Sequence, residues 1–447
     1  MNYFHSVTLD HEKCKGCTNC IKRCPTEAIR VRDGKAQIIQ ERCIDCGECI
    51  RVCPNHAKVA VTDSFDAVNG FPYVIAIPAP SLYGQFKHGV TPGHIVSALA
   101  MVGFNEVFEA ATAAEAVTVA IREFLKIRSR KKPLISSACP AVLRLLQVRF
   151  PGLLDHVIPI ESPMETAARM AKEKVARDHG LSREEIGAFF ITPCPAKVTA
   201  VKQPIGRASS FVDGVISMQA VYSRLINLLN PSGPLSDWHG ASAYGIGWGR
   251  AGGENVAIGM GELLAVDGIH SVISVLEEVE KGKLSDVDYL ECQACPGGCI
   301  GGPLTVENPF IARVRIRNLA DRLGGSGLSV DEEQVRRLCA TGYFDLTERI
   351  GPRPVMKLDN DVSRAIVKLG ELERTVAALP GLDCGSCGSP SCRALAEDIV
   401  RGLAYETDCI FKLRERVMAL AAEMVELSRK VPPAMGAADT NKKGETA

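Results

Sequence analysis

The sequence has no excess of either charge and no long apolar run. Its 52 basic and 52 acidic side chains cancel among 447 residues, so charge does not point to nucleic acid as a partner. No apolar run approaches the roughly 20 residues that cross a bilayer. The first residues, MNYFHSVTLDHEK, also lack a basic segment followed by an apolar core. We therefore expect a cytoplasmic protein with neither a membrane nor a nucleic-acid partner.

Cysteine, by contrast, is abundant, with 18 residues in the chain. In a reducing compartment so many thiols are more often metal ligands than disulfides. Eight cysteines fall within residues 14–53, five within 139–299 and four within 384–409, with Cys339 alone. The sequence therefore predicts several separate metal sites.

Between the outer cysteine groups, short apolar runs alternate with amphipathic stretches. The runs at 73–78, 106–110, 133–138, 188–192 and 289–292 predict buried strands, and the stretches between them predict helices. Such alternation is typical of βαβ units around mostly parallel sheets. We expect an α/β core.

The N-terminal cysteines form two copies of one pattern, Cys-x2-Cys-x2-Cys-x3-Cys-Pro. In this ferredoxin-type run three close cysteines bind one [4Fe-4S] cluster, and the fourth reaches the other cluster. We assign cluster one to Cys14, Cys17, Cys20 and Cys53, and cluster two to Cys43, Cys46, Cys49 and Cys24. Zinc is the alternative, although it seldom takes eight thiolates in this register. The segment is expected to be a ferredoxin-like α+β domain.

Cys139 and Cys194 occupy matching positions, each after an apolar strand and before a proline that suits the first turn of a helix. At the carboxyl edge of a parallel sheet, helix N–H groups would point at such a cysteine. Cys295 and Cys299 add two more thiols, enough together for a further cubane. The alternative for each cysteine is packing as a small hydrophobic residue.

The stretches SSACPAV, TPCPAKVTA and ECQACPGGCIGGP resemble, in this order, the three signature loops of iron-only, or [FeFe], hydrogenases. The resemblance implies a two-lobed core that holds an H-cluster, a cubane joined to a two-iron unit with carbonyl, cyanide and a bridging dithiolate. The implied cubane ligands are Cys139, Cys194, Cys295 and Cys299. Cys299 matches the bridging thiolate, and Lys197 matches a lysine that hydrogen-bonds a cyanide.

The chain departs from this family pattern beside the implied cofactor. Ala138 replaces the cysteine that shuttles protons in hydrogen-evolving members, and Gln293 replaces a methionine. Alanine cannot relay a proton, so we expect slow turnover. Glu291 and Cys292 can ionise, and the hypothesis is that one of them relays protons instead. The alternative is that Cys292 only fills a strand end.

We interpret the glycine-rich stretch 244–253 as a flexible loop near the pocket.

The pattern Cys-x2-Cys-x4-Cys-x16-Cys resembles a small four-cysteine iron–sulfur domain found in several redox proteins. Its ligands would be Cys384, Cys387, Cys392 and Cys409. A helix of about 16 residues would carry the last cysteine back to the cluster. Zinc is again the alternative, since it too accepts four thiolates.

Apolar residues recur after Cys409 with alternating spacings of three and four. They are Ile410, Leu413, Val417, Leu420, Met424, Leu427 and Val431. This spacing predicts the seam of a coiled coil and a homodimer through residues 410–431. Packing of the helix on its own domain is the alternative.

The chain is thus expected to comprise a ferredoxin-like domain (1–65), an H-cluster domain (66–340), a linker with a small α-helical iron–sulfur domain (341–410), a heptad helix (411–432) and a disordered tail (433–447). The resemblance implies slow, reversible H2 oxidation and proton reduction, with three [4Fe-4S] clusters as an electron relay. The missing shuttle cysteine and the extra C-terminal cluster resemble the sensory branch of the family. A redox partner such as ferredoxin and a signalling partner would follow. The alternative is a non-catalytic electron carrier or cluster-assembly protein that lacks the two-iron unit.

Overall fold

The computed structural model describes residues 3–87, 89–127, 131–229, 240–325 and 327–430, together with Ala434. The chain divides into two compact units, residues 1–356 and 357–447. Among the described residues, no helix is both long and apolar enough to cross a membrane. The predicted tail 433–447, apart from Ala434, and the last seam residue, Val431, lie outside the described residues.

The elements of each unit are given in chain order. The strands of the first unit are β1 (Val7–Leu9), β2 (Ile29–Arg32), β3 (Lys35–Ile38), β4 (Lys58–Ala60), β5 (Tyr73–Pro78), β6 (Glu106–Val107), β7 (Leu134–Ile135), β8 (Ile186–Thr192), β9 (Gly214–Ser217), β10 (Leu263–Asp267) and β11 (Tyr289–Gln293). Its helices are α1 (Asn19–Arg23), α2 (Glu48–Arg51), α3 (Pro92–Met101), α4 (Ala110–Leu125), α5 (Pro140–Arg149), α6 (Pro163–His179), α7 (Pro195–Lys202), α8 (Met218–Leu225), α9 (Ala243–Gly247), α10 (Gly253–Ile258), α11 (Ile269–Glu280), α12 (Pro309–Leu323) and α13 (Glu332–Cys339). The helices of the second unit are α14 (Val362–Ala378), α15 (Cys392–Val400) and α16 (Ile410–Ser428).

The N-terminal segment is α+β, as the sequence predicts. Strand β1 pairs antiparallel with β4, and β2 pairs antiparallel with β3. Strand β1 precedes the first cysteine run and β4 follows the second. Their pairing therefore brings the two ends of the duplicated segment together. Their shared core combines Val7, Ile21 and Ile29 with several of the cysteines.

The larger part of the first unit has two parallel sheets, in agreement with the predicted α/β class. One has the strand order β6-β5-β8-β9 and the other β10-β11-β7. All seven residues of β8 are buried, which is typical of a central parallel strand covered on both faces. Each sheet has a hydrophobic core of its own, and the carboxyl ends of β7, β8 and β11 lead into the cysteine loops.

The second unit is helical, with a small core beneath α14 and α15. Helix α15 has 9 residues, not the predicted 16 or so. It ends at Val400, where the N–H of Leu403 donates to the carbonyl of Asp398 at 2.8 Å. A 16-residue helix would have moved Cys409 roughly 24 Å along its axis from Cys392, too far to share a cluster. The early end of α15 lets the chain turn back.

Candidate functional site

Three cysteines of the central region lie where parallel strands end. Cys139 follows β7 and is the N-cap of α5, while Cys194 follows β8 and is the N-cap of α7. Cys295 follows β11, the strand paired with β7. Since parallel neighbours end at the same sheet edge, β7 and β11 bring Cys139 and Cys295 together.

Cys299 joins this group through a glycine turn. Gly298 has φ +92°, and a Cβ there would lie 2.2 Å from Oε1 of Gln293 and 2.5 Å from the nitrogen of Ala251. Only glycine fits so close an approach. Cys299 then begins a short 3-10 turn that ends at Gly301.

The thiols of this group are held in a dry environment. Burial raises the pKa of Cys194 and Cys295, and it raises the pKa of Cys299 to about 11. A thiol must lose its proton to bind metal, so occupation of the site requires cationic metal to offset the buried charge. Four buried thiolates suit the iron of a cubane, because its positive charge offsets theirs.

A cavity of about 60 Å³ lies against two of these cysteines, Cys139 and Cys299. Its apolar walls include Ala79, Ala110, Ala114 and Phe190. Six of the site residues predicted from the sequence also line it, namely Ala138, Cys139, Lys197, Cys292, Gln293 and Cys299. A compact group bound to Cys299 would therefore contact mainly apolar side chains in this cavity.

Two polar groups on the cavity wall have no protein partner that would satisfy them. In the described part of the chain, no oxygen accepts a hydrogen bond from Nζ of Lys197. Burial lowers the pKa of Lys197, but the four cysteines raise it by more, so its net shift is upward. Oε1 of Gln293 is likewise buried without a donor. Both atoms fit a bound group that has polar, anionic outer atoms.

The two predicted relay residues are placed differently. Glu291 is not on the cavity wall, and its carboxylate accepts from the N–H groups of Gly252 and Asn255 at 2.9 and 3.0 Å and from Nε2 of Gln293 at 3.0 Å. Cys292 does line the cavity but is only 1% exposed. Burial, followed by the charge of Cys139, holds the pKa of Cys292 far above its usual range.

Sequence reasoning missed Glu254, a buried carboxyl on the same wall. Its Oε1 accepts from the Tyr289 hydroxyl at 2.5 Å and from Oγ of Ser136 at 2.9 Å. Burial and the nearby charge of Glu291 raise the pKa of Glu254. The stretch 244–253, predicted to be a loop near the pocket, does lie there, since Trp248 and Gly249 line the cavity. Only residues 248–252 are loop, because α9 extends to Gly247 and α10 begins at Gly253.

The N-terminal cysteines line two separate cavities in the predicted grouping. One is lined by Cys14, Cys17, Cys20 and Cys53. The other is lined by Cys24, Cys43, Cys46 and Cys49. Each fourth cysteine therefore crosses to the other copy of the repeat, as the ferredoxin pattern requires.

The cavity of the second quartet adjoins the central cysteines. A Cβ on Gly47, at φ +74°, would lie 2.5 Å from the Pro303 ring and 3.1 Å from that of Pro195. Nη2 of Arg51 donates to the Gly301 carbonyl at 2.8 Å. Cys46 packs into the same core as Cys139 and Cys194. Cluster two would thus lie between cluster one and the central cubane.

In the second unit, Cys387, Cys392 and Cys409 meet in one small core. Burial raises the pKa of Cys387, and the charge of Cys384 raises it further. The four thiols of this unit are therefore close enough to influence one another. They are compatible with a further cluster.

Comparison with known families agrees with this organisation. Residues 72–228 and 251–303 match the model for the iron only hydrogenase large subunit, C-terminal domain. Residues 6–54 match a 4Fe-4S dicluster domain, and residues 379–411 match a model for an Fe-S cluster.

Individual relatives are distant. The periplasmic [Fe] hydrogenase large subunit of Nitratidesulfovibrio vulgaris is 25% identical over 366 residues, 67% of this chain and 86% of that protein. Iron hydrogenase 1 of Clostridium pasteurianum is 24% identical over 391 residues, 69% of this chain and 68% of that protein. A solved [FeFe]-hydrogenase HydA1 from Chlamydomonas reinhardtii aligns with a TM-score of 0.50 at 16% identity, covering 63% of this chain and 95% of that one. At this identity the structural likeness concerns the fold alone.

Proposed function

Because the chain belongs to the iron-only hydrogenase-like family, we propose that it catalyses slow, reversible oxidation of H2 to two protons and two electrons. The observation that supports this most is the single cavity that carries Cys299, Lys197 and Gln293 on its wall. We assign the cubane of the site to Cys139, Cys194, Cys295 and Cys299. A two-iron unit bound through Cys299 would supply the hydrogen chemistry.

Lys197 would hold the anionic atoms of that unit. Its ammonium group lines an apolar cavity with four cysteines around it. In such a setting a charge-assisted hydrogen bond is stronger than in water. Gln293 adds an amide on the same wall, and its Nε2 is already held by Glu291.

Protons need a route other than residue 138, because Ala138 has no ionisable group. We assign this role to Glu254, on the cavity wall, and to Glu291 behind it. The raised pKa of each carboxyl keeps the pair able to hold a proton near neutral pH. Cys292 is the alternative relay, and its high pKa makes it a weaker acid than either glutamic acid.

Electrons would pass between the central cubane and cluster two, which adjoin, and then cluster one. The cluster of the second unit completes the three [4Fe-4S] clusters that we propose as a relay. A redox partner such as ferredoxin would exchange electrons with them. Ala138 and the extra cluster support a hydrogen-sensing or regulatory form, in which a signalling partner responds to the redox state.

Infrared spectroscopy tests the proposal on protein produced together with the hydrogenase maturation enzymes. Bound carbonyl and cyanide absorb where protein does not, so we expect these bands together with slow hydrogen turnover. Lys197→Met should lose the bands and keep the cubane iron, because the two-iron unit loses its cation. Lys202→Met, on the exposed side of the same helix, serves as the matched control.

The alternative makes the opposite prediction for the wild type. Fully assembled clusters without carbonyl or cyanide bands would indicate a non-catalytic electron carrier or a cluster-assembly protein. Turnover as fast as that of a bulk hydrogen producer would instead contradict the sensory form.

A further inference from the structure

The duplicated ferredoxin-like segment repeats its ligands but not its charges. Ile29 is the fifth residue after Cys24, and Lys58 is the fifth residue after Cys53. Ile29 begins β2 and Lys58 begins β4. Ile29 lines the cavity of cluster two, and Lys58 lines that of cluster one. Equivalent positions therefore carry an apolar side chain beside one cluster and a cationic side chain beside the other.

Lys58 is held in an unusual environment for a lysine. It is 2% exposed, and its Nζ is buried without a hydrogen-bond partner. A buried ammonium is costly unless a negative charge offsets it. Lys58 lines the cavity of cluster one together with the four cysteines Cys14, Cys17, Cys20 and Cys53. It is absent from the lining of the cavity of cluster two. An anionic cubane on cluster one's cysteines would offset its charge.

Beside cluster two, buried carboxylates lie together with side chains that pair with them. Asp45 is 1% exposed, and its Oδ1 lies 3.7 Å from Sγ of Cys43. Its other oxygen lies 3.1 Å from Nδ1 of His5. Glu48 is also buried on this side, where it forms an ion pair with Arg51. A second cation, Arg353, donates to the Cys43 carbonyl at 2.9 Å, so carboxylates and cations largely cancel here, whereas Lys58 beside cluster one has no such partner among the described residues.

We propose that Lys58 sets the order of the two reduction potentials, so that cluster one accepts an electron more readily than cluster two. Each cubane gains one negative charge on reduction, and a fixed cation in a low-dielectric site stabilises the reduced form. Cluster two adjoins the central cubane through Gly47. An electron that leaves the centre therefore crosses cluster two and stays on cluster one, where Cys17 is exposed to a redox partner. This inference depends on the two ferredoxin-type clusters and not on hydrogen turnover.

The test is a redox titration followed by electron paramagnetic resonance. The full chain is produced without maturation enzymes, so that the iron–sulfur clusters form while hydrogen chemistry is absent. Lys58→Ile copies the residue of the other half of the repeat. We expect the highest of the ferredoxin-type potentials to move to a more negative value. The double variant Lys58→Ile with Ile29→Lys transfers the cation and should reverse the order of the two potentials.

The matched control is Lys15→Met. Lys15 lines the same cavity but is exposed, so solvent and salt screen its charge, and its loss should produce a much smaller shift. Iron content verifies that the clusters are assembled. If the Lys58→Ile protein contains less iron, the titration uses Lys58→Gln instead. Glutamine keeps most of the length of the side chain but has no charge. Unchanged potentials in an assembled Lys58 variant, or an equal shift in Lys15→Met, would overturn the proposal.

Discussion

Glu254 is the side chain that we propose as the proton carrier in place of residue 138. Hydrogen bonds from Ser136 and Tyr289 hold its carboxyl on the cavity wall. Burial disfavours its charged form, and the charge of Glu291 does so further. Glu254 therefore remains a neutral acid to higher pH than an exposed glutamic acid. It can donate a proton below its raised pKa and accept one back above it.

Glu254→Gln tests this role directly. The amide keeps the size of the side chain and a hydrogen-bond acceptor but cannot carry a proton. We expect the isotope exchange between H2 and deuterated water that the protein catalyses to slow by about 100-fold. This is the lower end of the effect of a general acid. Infrared bands should persist, because Glu254 is not a ligand. Hydrogen evolution by the wild type should fall as the pH rises through the raised pKa, and the variant should lose this dependence.

Cys292→Ala is the companion variant for the same measurement. Because this thiol is buried and has a strongly raised pKa, its removal should leave the exchange rate near that of the wild type. Slow exchange in Cys292→Ala, with normal exchange in Glu254→Gln, would assign the relay to the thiol instead.

At the scale of elements, α16 differs from α14 and α15 in burial, because each of those helices has buried residues. None of its 19 residues is buried, although its seam residues are large and apolar. In an antiparallel pair the six described seam residues would pack in register. Those in the N-terminal half of one helix would contact those in the C-terminal half of the other. Arg416 would then lie near Glu423 of the second copy. In a parallel pair, Arg416 would face Ala421 and Glu423 would face Ser428, so charge complementarity favours the antiparallel arrangement.

We therefore expect a dimer by light scattering. Leu420→Lys should make it monomeric, because a charge would enter the apolar seam. Glu415→Lys, on the outer face, should leave the dimer intact. Arg416→Glu should weaken the dimer by about 1 kcal/mol at most, and adding Glu423→Arg should restore it. A wild type that is monomeric at all concentrations would show that α16 packs against its own chain.

At the scale of the whole molecule, the two units have separate hydrophobic cores. The clusters of apolar residues in residues 1–356 share no member with the core of the second unit. The first unit also contains both ferredoxin-type cavities and the central one. Its fold and its hydrogen chemistry should thus be independent of the second unit.

A chain ending at Met356 tests this independence. We expect it to keep the carbonyl and cyanide bands after maturation and to contain about four fewer iron atoms, one cubane, than the full chain. The full chain purified in parallel is the control. Loss of the bands on truncation would mean that the second unit stabilises the central site.

The α/β class, the principal strands and the grouping of the cysteines follow from the sequence alone. The ferredoxin-type ligands and the strands are encoded locally, since the ligands of each run are three or four positions apart and the strands show as short apolar runs. The central cysteines are far apart in sequence, and their grouping follows from the family resemblance. The cavity and its Glu254 were decided only by the tertiary structure. Ser136 and Glu254 are 118 positions apart, and they meet because strand pairing and helix packing bring distant residues to one sheet edge. The burial of Lys58, which looks in sequence like any surface lysine, arises in the same way, from the closure of two halves of a repeat around their clusters.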